Sequence, residues 1–436
     1  MNIQSETVRR YVLEHLEDGR FSSGMRLPGF RKIADELNIS RPVVQNALNT
    51  LVNEGVLRAV PRSGLYVDDD WQSRQVRGTL GIFASEATQP WLKRVREELG
   101  GPPFYLHISK RFYSNSPWTI ITTTIAQAQQ AEFVDLKPIL KTVYPDLSPF
   151  SVELLRPFTR NGRLFALPFV YSPRLIACNR KMLHEAGCPD PSPDWMIGDL
   201  EKLIRKLRRH FPPERLFNQS ISSSFWINFV LSCGGELFDS RDPGKVAFDS
   251  PEALEGFRIA KLLHSGKTAL DTQPEDCALI IIDRQTARRL PGGMKGDWLF
   301  LPIPGNTPDR TGISMQATEL FAVRHGWFDS NLVAPVIRYL WSKQFQDHLA
   351  ELQYGIPIRK SSASRAFDDR SRHELMFREC CPKIRNDYQL HDPHLSQIVF
   401  NGIGGLLSRN GGLKAGIGEL ADFVRQYIKF TEGPEK

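Results

Sequence analysis

Cysteine is scarce and unpatterned in this 436-residue chain: there are six, no CxxC pair occurs, and Cys380 and Cys381 are adjacent. That spacing suits neither a zinc site nor a disulfide framework, so reduced thiols in the cytoplasm are expected and a metal is not. No run approaches the ~18 apolar residues of a membrane span. The opening MNIQSETVRRYVLEHLEDGR is amphipathic and charged, so neither a membrane partner nor a secretory signal is expected. HExxH and GxSxG are missing, the ten histidines are scattered, and His391 and His394 flank Asp392-Pro393 in an expected turn. The glycine-rich stretch 401–418, NGIGGLLSRNGGLKAGIG, lacks the GKS or GKT ending of a phosphate loop and reads as loop plus helix start. These absences leave little support for an enzyme, and no catalytic residue or cofactor is expected. Charge asymmetry is also small: 56 basic residues face 49 acidic ones, which permits a nucleic-acid partner without demanding it.

What is present begins with the first seventy residues. Val8, Tyr11, Val12 and Leu16 recur at three- and four-residue spacing and predict a first helix that stops at Gly19. Arg31–Leu37 turns Ile33, Ala34 and Leu37 inward. Ser40 is then a good N-cap for a helix with Val44, Ala47, Leu48 and Leu51 on its buried side. That leaves Arg41, Pro42, Val43, Gln45, Asn46 and Asn49 outward or at its tip, the layout of a recognition helix. Val56 to Val67, with Gly64 inside, reads as a short two-stranded wing.

These residues resemble the GntR family of regulators. The resemblance is carried by Leu27-Pro28, Arg31, Ala34, Leu37, Ile39-Ser40-Arg41, Val44, Ala47-Leu48, Leu51 and Glu54-Gly55, then Gly64-x-Tyr66-Val67. It implies a winged helix-turn-helix over residues 1–70 that binds a palindromic double-stranded DNA operator as a homodimer. The implied contacts are Arg31, Ser40, Arg41, Pro42, Val43, Gln45, Asn46, Arg62 and Ser63. Physically, Arg41 suits a guanine edge or a phosphate, Gln45 an adenine edge, and Val43 a thymine methyl. Val43, Gln45 and Arg62 depart from the residues usual in the family, which makes base preference individual. Across residues 1–67, nine basic residues face seven acidic ones, so a merely solvated surface is the competing explanation.

Asp68-Asp69-Asp70 repels phosphate and is expected to end the DNA surface, with residues 71–78 (WQSRQVRG) as a short polar linker. From Thr79 to about residue 430, apolar strand-like runs alternate with longer amphipathic helices, which predicts an α/β body. One predicted helix, 199–210, buries Leu200, Leu203, Ile204 and Leu207 and turns its basic residues to solvent. Another is expected over Val333 to Ala350.

This body resembles family 1 extracellular solute-binding proteins, the sugar receptors of ABC importers. The carrying segments are 133–140 (FVDLKPIL), 161–169 (NGRLFALPF), 179–187 (NRKMLHEAG), 233–238 (CGGELF), 248–253 (FDSPEA), the strand 278–282 and 354–359 (YGIPIR). Residues 79–132 match poorly and lack the family's first strand and aspartate pattern. The resemblance implies a two-lobed type II periplasmic-binding fold with a ligand cleft between lobes, taking a small-molecule effector, with a carbohydrate expected. Sugar sites pair flat aromatic faces with polar groups for hydroxyls. By position in the resembling segments, the candidates are Tyr171, Ser172, Phe225, Trp226, Asp283, Arg284, Gln285, Gln316, Glu319 and Tyr354. The tryptophan that the family places after the 278–282 strand is absent here.

The combined expectation is a ligand-responsive transcription regulator. One alternative keeps the large domain for dimerisation or partner contact alone. The other fuses the head to a pyridoxal-phosphate aminotransferase-like domain, but Ser109-Lys110 and Ser342-Lys343 are the nearest dipeptides to the required lysine context.

Overall fold

The computed structural model describes residues 3–74, 76, 78–82, 90–99, 107–109, 116–218, 224–239, 242, 245–264, 273–293, 296–326, 329–385 and 393–432. The head runs α1 (Ile3–Glu17), α2 (Phe30–Leu37), α3 (Arg41–Asn53), β1 (Leu57–Val60) and β2 (Gly64–Val67), the two strands pairing antiparallel as a wing. Val8, Val12 and Leu16 of α1 meet Ile33 of α2 and Val44, Ala47, Leu48 and Leu51 of α3 in one buried cluster. The turn between α2 and α3 is made by Asn38, whose φ of 52° lies in the left-handed region that asparagine tolerates. Inside this small core Arg9 reaches from α1 to α3, donating to Thr50 Oγ1 at 2.9 Å and Glu54 at 3.0 Å. The head does not end at 70. Trp71 and Val76 are buried in its core, so half of the expected linker is absorbed and the free connection is short.

From Thr79 the chain builds the first lobe: β3 (Thr79–Ile82), α4 (Leu92–Leu99), β4 (His107–Ser109), β5 (Trp118–Thr122), α5 (Thr123–Ala128), α6 (Lys137–Val143), the hairpin β6 (Thr159–Arg160) and β7 (Arg163–Leu164), and β8 (Leu167–Ser172). It then crosses at Pro173 into β9 (Arg174–Asn179), α7 (Arg180–Glu185), α8 (Ile197–Leu207), β10 (Phe217–Asn218), α9 (Trp226–Ser232), α10 (Pro251–Leu263), β11 (Leu279–Asp283), α11 (Arg284–Ala287), β12 (Trp298–Pro302) and β13 (Ser314–Met315). Gln316 carries it back into β14 (Ala317–Val323), α12 (Ser330–Leu340), α13 (Lys343–Glu351), β15 (Ile356–Pro357) and α14 (Lys360–Ala363). A third passage returns it to α15 (Arg372–Cys380), β16 (Ile384–Arg385), α16 (Pro393–Ser408) and α17 (Leu413–Glu432).

Two sheets result. The first lobe has the order β15-β8-β14-β5-β3-β4, parallel among β3, β4 and β5 and antiparallel elsewhere; the second has β10-β11-β9-β12. The poorly matching stretch 79–132 therefore does supply its strands. Along β9 the side chains alternate between two cores, Ile176 and Cys178 on one face and Leu175 and Ala177 on the other. A strand buried on both faces is apolar throughout, and β9 is, except at its first residue, Arg174, and its last, Asn179.

Two elements differ from expectation. The predicted helix 333–350 is two helices, because Ser342 leaves the helical ladder and caps α13 by accepting from Phe345 N. Lys343, in one of the two Ser-Lys pairs, is exposed and ion-paired to Asp347. The stretch 401–418 is helix up to Ser408, since Gly402 and Gly416 let α16 and α17 approach: a Cβ on Gly416 would stand 2.3 Å from Leu406 Cδ2. His391 and Lys110 lie outside the described residues.

Candidate functional site

The outer face of the head presents the expected side chains in one direction. Arg41, Pro42, Gln45 and Asn46 are exposed on the first turns of α3, while Val43 is half-buried against the core edge. Ser40 holds N-cap dihedrals, φ −65° and ψ 144°, yet its hydroxyl makes no cap bond; Pro42 has no N–H and Val43 N donates to Ser40 O at 3.1 Å, so the hydroxyl and the Arg41 N–H are the donors left open at this end. A helix N-terminus with unsatisfied donors suits a phosphate. Arg31 projects from α2, held only by a loose 3.9 Å pair to Asp35. Arg62 occupies the wing turn at φ 60°, exposed, whereas Ser63 is engaged at 2.6 Å with the Tyr66 hydroxyl. Two wing cations escaped the sequence pattern: Arg58 stacks 5.4 Å over the Tyr66 ring, and Arg26 lies against Gly64. Both come from positions whose neighbours become visible only once β1, β2 and the Arg26–Tyr66 bridge form.

The ten interlobe candidates separate into two groups. Phe225 and Trp226 lie in the second lobe's core, Phe225 with Phe217 at 4.8 Å and Trp226 between Phe257 and Phe400 at 5.5 and 5.3 Å, so neither offers a free ring face. Glu319 accepts from Trp91 Nε1 at 3.1 Å and from the Tyr354 hydroxyl, inside the first lobe. Arg284 is fully buried. It pairs with Glu374 at 2.6 Å, donates to the carbonyls of Gly355 and Ala366, and lies 5.1 Å over Phe367. Because Gly355 belongs to the first lobe and Arg284 to the second, this cation fastens the lobes. Asp283 caps α11 through Thr286, and the Ser172 hydroxyl donates to Pro173 O and accepts from Arg284 N. These seven residues are occupied by the fold.

The other three converge where the chain crosses between lobes. Gln316 is completely buried and neither its amide oxygen nor its nitrogen has a partner among the described residues. Gln285 Oε1 is likewise buried and unpaired. Tyr171 stands directly across from Thr318 in the β8–β14 register; burial raises its phenol well above the ordinary range, so it stays a neutral donor. Sequence pattern missed two more residues here. Thr318 Oγ1 is buried and unpaired. Arg174, 9% exposed at the start of β9, has Nε and Nη1 without a partner among the described residues. The available signal was an arginine opening an otherwise apolar run, Arg174-Leu175-Ile176-Ala177-Cys178. Buried polar groups left unsatisfied are costly, and four residues at the crossings carry them.

Fold and site together define a winged helix-turn-helix head on a two-lobed binding-protein body. Residues 4–67 match the family described as bacterial regulatory proteins, gntR family, and the head is a GntR-type domain. The head region is similar to an uncharacterized HTH-type transcriptional regulator, YdeL, of Bacillus subtilis, 41% identical over 59 residues, covering 14% of this chain and 13% of that protein. A probable fructoselysine utilization operon transcriptional repressor of Escherichia coli K12 is 24% identical over 156 residues, covering 34% of this chain and 61% of the relative. The chain thus spans only part of the length of these relatives. The body has the fold of periplasmic sugar-binding proteins. The GacH receptor of Streptomyces glaucescens aligns at TM-score 0.64 and 15% identity over 80% of this chain and 98% of its own. A Thermotoga lettingae ABC transporter solute-binding protein bound with alpha-D-tagatose aligns at 0.63 and 16% over 80% and 99%.

Proposed function

We propose that this chain is a ligand-responsive transcription regulator of the cytoplasm, binding an operator through α3 and the wing and a small molecule between the lobes. The observation that carries the DNA half is the outward set Arg41, Pro42, Gln45 and Asn46 on a helix whose opposite side, Val44, Ala47, Leu48 and Leu51, is wholly buried in a GntR-type head. The sensor half is supported by the unpaired Gln316, Thr318, Gln285 and Arg174 atoms at the crossings of a binding-protein fold. Ligand closes the lobes about these crossings and shifts the head; a population change, with no chemistry, is the output. Two heads on a two-fold operator must lie about one helical turn apart or a multiple of it, so small displacements alter affinity.

Selection of full-length protein against random duplex DNA tests the first half. Enrichment of an inverted repeat, bound with affinity that falls steeply as salt rises, is expected. Recovery of unenriched sequence would remove the regulator function. A small-molecule thermal-shift screen of the same protein tests the second half; a ligand that stabilises the body and also changes operator affinity is the expected result.

A further inference from the structure

Within the reading of the body as a sensor, we infer that its ligand carries a negative charge, a phosphate or carboxylate on a polyhydroxylated molecule, and that Arg174 receives that charge. Arg174 is 9% exposed, and its buried Nε and Nη1 have neither hydrogen-bond acceptor nor carboxylate within ion-pair distance among the described residues. A buried cation left without a counter-charge is among the most expensive features a fold can keep. Among the described residues the other buried arginines are all answered: Arg9 by Glu54, Arg284 by Glu374, Arg324 by Glu132. The carboxylate facing Arg174 in register is Asp283, and its Oδ1 is committed to the Thr286 amide and hydroxyl that begin α11.

The surroundings specify the rest of the ligand. Arg174 N donates to Ser314 Oγ at 2.9 Å, which fastens the first crossing to the second just before Gln316. Gln316 and Thr318 are two apart on an extended stretch and so project to one side, with Tyr171 across from Thr318. One charged fork at the first crossing, with one amide that both donates and accepts and a threonine hydroxyl at the second, suits an anionic group next to hydroxyls. A neutral oligosaccharide would use the amide and hydroxyls but leave the guanidinium unanswered.

Two measurements on the full-length protein test this. The Arg174→Met variant, which removes the unpaired charge and keeps the volume, is expected to unfold on the order of 2–4 °C higher than the parent in the absence of ligand. A fall of the same size would show that Arg174 has a structural partner and overturn the inference. In thermal-shift and calorimetric titrations, glucose 6-phosphate, glucuronate and inorganic phosphate are compared with glucose and maltose at matched ionic strength. Stabilisation by a charged probe, weakened about 10- to 100-fold by Arg174→Met, is expected. A response to phosphate compounds without glucuronate names phosphate as the source, and the reverse names carboxylate. Binding of glucose or maltose with no charged probe would overturn the anion while leaving the sensor intact. Silence of every probe, with no gain in stability from Arg174→Met, would overturn the anion site and remove its support for the sensor.

Discussion

Single side chains divide between those the fold consumes and those it leaves open, and the division decides which of them function. Arg41 is exposed at the first turn of α3 with no ion pair among the described residues, so nothing in the head is lost by truncating it. Arg41→Ala is expected to cost about 1–3 kcal/mol of operator binding if it makes a bidentate base contact, leaving thermal stability and ligand binding unchanged. Anisotropy titration on the selected operator reads this, and unaltered affinity would take Arg41 out of the interface. The head's open residues were readable beforehand because a recognition helix separates its faces by helical period alone. The cleft was less readable. A sugar site calls for aromatic faces, yet Trp226 and Tyr354 are buried in cores, since large apolar surface is worth more buried than exposed. Arg174 is not legible in the sequence, because an unanswered charge is defined by the absence of neighbours, and sequence does not state neighbours.

At the scale of elements, close helix crossings set tolerances that propensity does not foresee. Gly256 lies in the middle of α10, where alanine is the better helix former by about 1 kcal/mol. A Cβ there would stand 2.5 Å from both Val230 Cα and Val230 N of α9, and backbone cannot yield as a side-chain tip can. Gly256→Ala is therefore expected to destabilise the second lobe by roughly 1–3 kcal/mol net, seen as a lower unfolding temperature. A rise would mean that the α9–α10 crossing is looser than it stands. A second joint, between α13 and α14, is electrostatic. Burial works against the Asp347 carboxylate, but hydrogen bonds from Arg365, Lys343 and Ser362 outweigh it and hold its pKa well below the ordinary value. A depressed carboxylate stabilises above its unfolded pKa of about 3.9 and loses that contribution as pH falls through the folded value. Asp347→Asn should thus lower the unfolding temperature at pH 7, by an amount near 1 kcal/mol, and the gap to the parent should narrow below about pH 4. An equal gap at pH 7 and about pH 2 would contradict the assignment. Element type was legible where apolar period was strong, as in α3 and β9. The break at Ser342 was not, because Val333 to Ala350 keeps its helical pattern across it and the capping serine competes only once Phe345 N is within reach.

At the scale of the whole molecule, the proposed regulation requires lobe closure to reach the head. The head's core swallows Trp71 and Val76, and β3 begins at Thr79, with Thr79 N donating to Val76 O and His107 N to Gly78 O. A rotation of the first lobe therefore meets almost no slack before the head. Beside this connection His107, on β4 of that lobe, sits 2.9 Å from Glu17 at the end of α1, a direct contact between head and body. Short tether and side contact together make the head a passenger of the first lobe; a flexible linker would instead let each half bind independently. Inserting six Gly/Ser residues after Val76 is expected to preserve ligand affinity, because the cleft is untouched, and to preserve the recognition surface. What should disappear is the coupling: operator affinity measured with and without ligand becomes the same. His107→Ala in the parent chain is expected to reduce that ratio without abolishing it, since the tether remains. If the insertion leaves the ratio unchanged, information does not pass through the tether, and a dimer contact between bodies would have to carry it instead.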